Sequence, residues 1–419
     1  MQLFTYIARK LWGKEQNNRV ISAPVVKIAT GSIAIGMAVM ILTVCIVTGF
    51  KSEIKKRAIG FAGHIVVSAY TNNNSYEQEP VSMQAGFLKQ LAQNREIEHI
   101  QPFATKNAII KTAFENQGII LKGVDRNYNW NFISQYLTEG KIPAYTDSTA
   151  SPLILISKTI AARLNLKTGD KLLTYFVGKK AGSDSAQNGS YEQRVRKFEV
   201  SGIYQTGFSD VDNNIVFSDM RQIQRLNYWQ PDQAGGFEVE LKDFGKLDEM
   251  TDWLNGEVGQ GLEARSVKEI YPTLFSWLDL LNSNAAIIIV LMIAVAIINM
   301  ISALLILILE RSNTIGILKA LGAGNGLVQK IFLFQSVRLL GMGLLIGNVF
   351  GLLLSLLQKM FKWVSLNPDT YYVSFVPVEI NVTDIVAINL VTVAAYLAMM
   401  LLPVLVISKI TPSRTLRFK

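Results

Sequence analysis

The chain has 419 residues, half of them hydrophobic, with 17% charged residues and a net charge of +9. Soluble domains carry about a quarter charged residues, and the deficit here is confined to long apolar runs flanked by Lys and Arg. That placement argues for membrane orientation and against nucleic-acid binding. One cysteine, Cys45, and two histidines, His64 and His99, exclude a disulfide framework and a Cys/His metal cluster.

Residues 1–27 open with MQLFTYIARKLWGK, in which Leu3, Phe4, Ile7, Ala8, Leu11 and Trp12 recur at helical spacing. The pattern predicts an amphipathic helix in the membrane interface and does not fit a cleaved signal. The first span is 28–50, uncharged between Lys27 and Lys51. Gly31 and Gly36 offer small surfaces on it where another helix can approach.

Residues 51–279 contain no run long enough to span. HIVVSAY, NAIIKTA, GIILKGV, LILIS, KLLTYFV, RKFEVSGIY, NIVFS and FEVEL read as strands. Ser82 to Asn94, KTIAARLNL, MRQIQRLN and KLDEMTDWLN read as helices. The mixture lacks a strict βαβ beat and predicts an α+β domain of one or two subdomains. No phosphate-binding Gly-x-x-x-x-Gly-Lys-Ser/Thr loop, Ser-His-Asp set or carboxylate pair stands out, so nothing in the residues argues for a catalytic domain. Gly178 to Gln193, GKKAGSDSAQNGSYEQ, is a polar excursion between two strand signals. Asn188-Gly189 favours a hairpin turn there, and so long a loop is uncommon unless disordered or functional.

The remaining spans are 280–309, 331–358 and 385–408, each near the ~20 apolar residues a membrane helix needs. Asn299 and Ser302 are the main polar points of the second and read as helix–helix contacts. Between the second and third lies 310–330, opening ERSNTIGILKALGA. Ile315, Leu318 and Leu321 recur at helical spacing, and Gly322 can end the helix. Two readings stay open for it: an interfacial loop helix, or a helix that docks into a cytoplasmic motor subunit. Basic residues in 1–27, 310–330 and the tail 409–419 place both termini and this helix in the cytoplasm. Residues 51–279 and the loop 359–384 then lie outside. The expected fold class is an α-helical membrane protein with four transmembrane helices and a large α+β domain between the first two.

In this order of spans, ERSNTIGILKALGA resembles the signature of the FtsX/MacB-type (type VII) permeases of ABC transporters. IARK, VTGFKSEIKKRAIGFAGHI and ISKTIAARLNLKTGD resemble segments of the Lol lipoprotein-releasing permeases of Gram-negative inner membranes, the nearest branch. FtsX proper has a smaller external domain, and MacB proper carries its ATPase on the same chain.

The resemblance implies a MacB-like periplasmic core and a non-catalytic subunit in the inner membrane. It implies a cytoplasmic ABC ATPase dimer as partner, with ATP and Mg bound there and no cofactor on this chain. It also implies a second permease copy, identical or a paralogue. Coupling to the ATPase would use Glu310, Arg311, Ile315, Gly316, Leu318, Lys319, Leu321 and Gly322. The substrate would be a lipoprotein drawn from the membrane lipids and passed to a periplasmic carrier by mechanotransmission. Its acyl chains would meet Ile46, Val47 and Phe50 on the first span and Ile287, Val290, Leu291 and Ile298 on the second. The carrier would dock on a hook-like hairpin, for which Lys179, Lys180, Asn188, Gly189 and Tyr191 are the candidates. Alternatives are a MacB-like efflux or peptide-resistance permease, in the same class, and an FtsX-like signalling permease, in a different one, each with a separate ATPase.

Overall fold

The computed structural model describes residues 22–71, 77–112, 115–146, 149–179, 191–310 and 312–399. The interfacial helix expected in 1–21, the end of the fourth span and the basic tail lie outside them. The helices of the apolar regions are α1 (Ser22–Ala62), α2 (Pro272–Glu310), α3 (Ser312–Ala320), α4 (Asn325–Phe361) and α5 (Val382–Met399). All but α3 are long and apolar enough to cross a membrane. Between α1 and α2 in the chain lie strands β1 (Ile65–Ala69), β2 (Val81–Ser82), β3 (Ile97–Lys111), β4 (Asn116–Val124), β5 (Leu137–Gly140) and β6 (Leu153–Ser157). They are followed by β7 (Lys171–Lys179), β8 (Tyr191–Tyr204), β9 (Ile215–Asp219), β10 (Gln233–Ala234), β11 (Gly236–Leu241) and β12 (Leu262–Ser266).

The chain divides into two compact units. One comprises residues 1–52, 277–365 and 375–419; the other comprises 53–276 and 366–374. Helices α1 and α2 each run through a division, because no helix-breaking residue interrupts them where the apolar stretch ends. After Phe50, α1 continues through Lys51, Glu53, Lys55, Lys56 and Arg57 to Ala62.

In the helical unit, α2 buries a stripe at Ala285, Ala296, Met300, Leu304 and Ile308. Ile33, Leu340 and Tyr396 join Ala296, Met300 and Leu304 in one cluster. A second cluster gathers Met37, Met40, Ile41, Cys45, Val378 and Ile388. Helix α4 approaches α1 closely at its glycines. A Cβ at Gly343 would lie 2.5 Å from Ile33 Cγ2, and one at Gly347 would lie 2.6 Å from both the Ala34 carbonyl oxygen and Met37 Cβ. Gly351 continues the series against Ile41 and Ala38. Spacing of four residues keeps all three on one helix face, the small-xxx-small arrangement that lets backbones meet. The glycines expected to do this on α1 contribute less: a Cβ on Gly31 would meet nothing within 4 Å, and one on Gly36 would be 3.7 Å from Ala296. Ser302, expected at a helix contact, is exposed, and its hydroxyl donates to the Ile298 carbonyl one turn back at 2.9 Å.

The α+β unit is built on one ten-stranded sheet. The strand order is β12-β1-β11-β3-β4-β9-β6-β8-β5, and β7 pairs with both β3 and β8. The hydrogen-bonded path therefore closes on itself through β3, β4, β9, β6, β8 and β7. Neighbours run antiparallel except β4 with β9 and β6 with β8. Ile110, Leu121, Leu155, Phe176, Phe198, Val200 and Phe217 are buried in its core. Among them sits a buried ion pair. Lys122 Nζ on β4 donates to Glu238 Oε1 on β11 and to the carbonyl of Phe61 in the last turn of α1. The other carboxylate oxygen of Glu238 accepts from Gln101 Nε2 at 2.8 Å. The ammonium also faces the rings of Phe103, Tyr128 and Phe217 at 5.6 to 5.8 Å.

Candidate functional site

Three regions carry the sequence-derived candidates, and the structure treats them differently. The first is α3. Ile315 is 1% exposed and Leu321 is 81% exposed, so they do not share one outward apolar face. The reason is local. Leu321 lies past the end of the helix, in a turn closed by Leu321 N–H to the Ile317 carbonyl and Gly322 N–H to the Lys319 carbonyl. Gly322 takes φ +92°, the left-handed conformation glycine tolerates. The outward apolar pair is Ile317 and Leu321; Gly316 is buried and Lys319 half-buried. Arg311 and the side chains of Glu310 and Leu318 lie outside the described residues.

The second region is the pair α1 and α2. Ile287, Val290, Leu291 and Ile298 are exposed on α2. Ile289, Met292 and Ile293 pack inward against the cluster around Met37 and Ile41. Spacings of three, four and seven residues put the four outward residues on one face. Ile46 and Val47 on α1 are half-buried, and Ile46 packs against that same cluster. Phe50 is buried, edge-on to Trp277 with ring centroids 6.1 Å apart. The four α2 residues therefore form an open apolar surface, whereas Ile46 and Phe50 belong to helix packing.

The third region is the hairpin of β7 and β8. Nine residue pairs run from Lys171 opposite Glu199 to Lys179 opposite Tyr191. Gly178, Lys179 and Tyr191 to Gln193, expected in a loop, are strand residues. The backbone ladder outcompetes their polar composition. Lys180, Asn188 and Gly189 fall outside the described residues, as do the side chains of Lys179 and Tyr191. Alternation along the ladder sends Phe176, Arg194 and Phe198 inward and Leu173, Val177 and Val195 outward. Ile109 on β3 is opposite Tyr175, which is opposite Val195, so an outward row crosses three strands, exposed at Ile109 and Val195 and half-buried at Tyr175. Lys111 is opposite Leu173, which is opposite Lys197, and sets a basic row beside it. Sequence reading missed this face because it looked for a polar loop and not at the outward half of a strand alternation.

The turn after β8 holds a polar network that also escaped sequence reading. The Asp212 carboxylate accepts from Thr206 N–H at 3.1 Å, Thr206 Oγ1 at 2.6 Å and Gly207 N–H at 2.8 Å. Burial raises its pKa, against the opposing pull of those hydrogen bonds and of Arg57. Arg57 is buried, pairs with Glu53 one turn away on α1 at 2.8 Å, and donates to the Thr206 carbonyl. No group of three or more His, Cys, Asp or Glu suited to a metal occurs among the described residues.

This arrangement agrees with the comparisons to known proteins. Residues 286–412 match the FtsX-like permease C-terminal family, and residues 28–256 match the MacB-like periplasmic core domain. The chain is 24% identical to the lipoprotein-releasing system transmembrane protein LolE of Haemophilus influenzae, over 96% of each chain. It is 23% identical to the corresponding LolC protein of Xylella fastidiosa over 92% of each, and to that of Neisseria meningitidis over 98% of each. With a core-domain match covering more than half its length, the chain belongs to the family of FtsX-like permeases that carry a MacB-like periplasmic core domain.

Proposed function

We propose that this chain is the permease subunit of an ABC transporter that extracts lipoproteins from the inner membrane of a Gram-negative bacterium. The observation that carries this reading is the similarity to lipoprotein-releasing system transmembrane proteins along nearly the full length of both chains. In this reading hydrolysis of ATP falls to a separate cytoplasmic ATPase dimer. A second permease copy, identical or paralogous, completes the assembly.

In this reading the termini and α3 face the cytoplasm, and the α+β unit faces the periplasm. Leu321 and Ile317 dock into the ATPase, since large apolar side chains exposed beside a tight turn gain most by burial in a partner. Acyl chains require continuous apolar surface. Ile287, Val290, Leu291 and Ile298 on α2 supply it, with Val47 as the remaining α1 candidate. The apolar row of Ile109, Tyr175 and Val195 with its basic border supports docking of a carrier with an apolar patch and acidic rim.

Copurification with the native ATPase, followed by mass spectrometry of bound protein and lipid, tests the reading. The expected result is a complex that holds triacylated lipoprotein and releases it to a soluble carrier when ATP is added. A complex that binds no lipoprotein but exports a small amphiphile or peptide would assign the chain to efflux instead. A lone chain that never associates with an ATPase would overturn the transporter reading.

A further inference from the structure

The α+β unit exchanges chain with the helical unit at four places: after Ser52, after Ser276, after Ser365 and after Ser374. The segments beside those crossings converge, within the α+β unit, on one short turn, Thr206 to Phe208. Phe208 is 1% exposed and touches three rings. Phe61, in the last turn of α1, stacks on it at 6.2 Å. Tyr271, immediately before α2, meets it edge-on at 6.0 Å. Tyr372, in the segment between α4 and α5, lies at 5.4 Å.

Arg57 ties α1, this turn and the 366–374 segment together by hydrogen bonds. Its Nη1 donates to the carbonyls of Thr206 and Tyr372, the latter at 3.2 Å, while Nε and Nη2 hold Glu53 at 3.0 and 2.8 Å. The guanidinium also lies 5.6 Å from the centre of the Tyr136 ring. Gly207 sits where a side chain would be crowded and its backbone strained. A Cβ there would lie 3.0 Å from Arg57 Nη1 and 3.2 Å from Ser374 Oγ, at a φ of +71°. Tyr372 itself is held at φ +58°, where a non-glycine residue is strained. A sheet domain that merely followed its helices would need none of this. Two helices and a distant loop are instead clamped to one turn, which the Asp212 hydrogen bonds brace from behind.

We propose that Phe208, with Arg57 as its positioning residue, is the junction through which displacement of α1, α2 and the 366–374 segment is delivered to the sheet. This rests on the ATP-driven permease reading. The loop between α4 and α5 is thereby a third input to the domain, alongside the two helices that enter it directly. Packed aromatic contacts suit the role, because a close-packed interior deforms little and passes strain on.

The test uses the full chain in complex with its ATPase in nanodiscs, loaded with a purified triacylated lipoprotein. ATP hydrolysis and lipoprotein release are measured together, with hydrogen exchange followed after addition of ATP and vanadate. Phe208→Ala and Arg57→Gln are expected to keep ATPase association and hydrolysis while release falls about tenfold or more, within the range of residue-level coupling effects. Exchange at 206–212 should respond to vanadate trapping in the wild type and lose that response in the variants.

Tyr372→Gly guards against simple misfolding. Glycine suits a positive φ and keeps the carbonyl that Arg57 uses, but it removes the ring from Phe208. Its release should fall while its thermal midpoint stays near that of the wild type. Arg57→Lys should restore part of the release lost in Arg57→Gln. If the wild type releases lipoprotein on ATP and Tyr372→Gly does so at the same rate per ATP, the junction is wrong and the permease reading stands. If the wild type neither hydrolyses ATP with its partner nor releases lipoprotein, both fall together.

Discussion

Asn348 on α4 and Asn389 on α5 exchange two side-chain hydrogen bonds, at 2.8 and 2.9 Å, in the middle of two apolar helices. Each amide also donates its other proton to the carbonyl one turn back, Leu344 and Ile385, both at 2.8 Å. Every amide proton of the pair is used, so the two helices have a fixed register at this level. Asn348→Leu leaves Asn389 without its partner and should destabilise the helical unit by about 1 kcal/mol, in line with interhelical polar contacts in membranes. The double change to Leu at both positions should recover most of that. Steric trapping in bicelles measures both values, and a double variant no better than the sum of its singles would contradict the pairing.

The glycines of α4 differ in what surrounds them, which makes a matched comparison possible. Gly347→Ala drives a methyl into the Ala34 carbonyl and Met37 and should cost about 1–3 kcal/mol by overpacking. Gly341→Ala has open space around it and should be neutral or slightly stabilising through helix propensity. Thermal unfolding of the two variants in one detergent separates them.

Removing Lys122 leaves the Glu238 carboxylate buried without its counter-charge. Lys122→Met should destabilise the α+β unit by about 3–5 kcal/mol, the usual consequence of breaking a buried pair from one side. Adding Glu238→Gln to that variant removes the orphaned charge, keeps an acceptor for Gln101, and should recover a large part of the loss. Chemical denaturation of the full chain reads both.

His64 is an acid-sensitive point. Leu241 N–H donates to its Nδ1 at 3.1 Å, and burial holds its pKa down at about 4, below the ordinary 6.5. The unfolded chain therefore takes up a proton that the folded chain refuses between pH about 6.5 and 4. By linkage, stability is at its plateau above that window and falls as pH drops through it. Protonation would also remove the acceptor for Leu241. His64→Asn offers an oxygen in place of Nδ1 and has no such titration. Its thermal midpoint should lose less than that of the wild type between pH 7 and pH 4.5, and equal losses would exclude His64 as the cause.

Leu321 and Ile315, two of the apolar residues the sequence offers for ATPase coupling, should separate cleanly. Leu321→Asp changes a side chain that touches little of this chain, so the protein should fold and insert normally yet fail to copurify with its ATPase. Ile315→Asp buries a charge in the helical unit and should reduce folded yield before any question of docking arises. Normal ATPase copurification by the Leu321 variant would return α3 to a plain interfacial loop.

Much of this was legible in the sequence because it depends on local pattern. Apolar runs near membrane length, basic flanks and the period-two alternation of β3, β7 and β8 are properties of neighbouring residues. So is the signature around Gly316 that marks the family. The small-xxx-small series of Gly343, Gly347 and Gly351 is equally visible, but nothing in the sequence ranks it above Gly31 and Gly36 of α1. Other features depend on which distant residues meet. Nothing near Arg57 in sequence announces Thr206 or Tyr372, and nothing near Asn348 announces Asn389. The polar letters at both ends of the 178–193 stretch do not reveal that backbone pairing absorbs them into β7 and β8. Exposure along α3 is of the same kind: helical spacing groups Ile315 with Leu321, but the turn at Gly322 carries Leu321 out of the helix and packing draws Ile315 in. Spacing determines which residues can share a face, and only the tertiary contacts decide which face is buried.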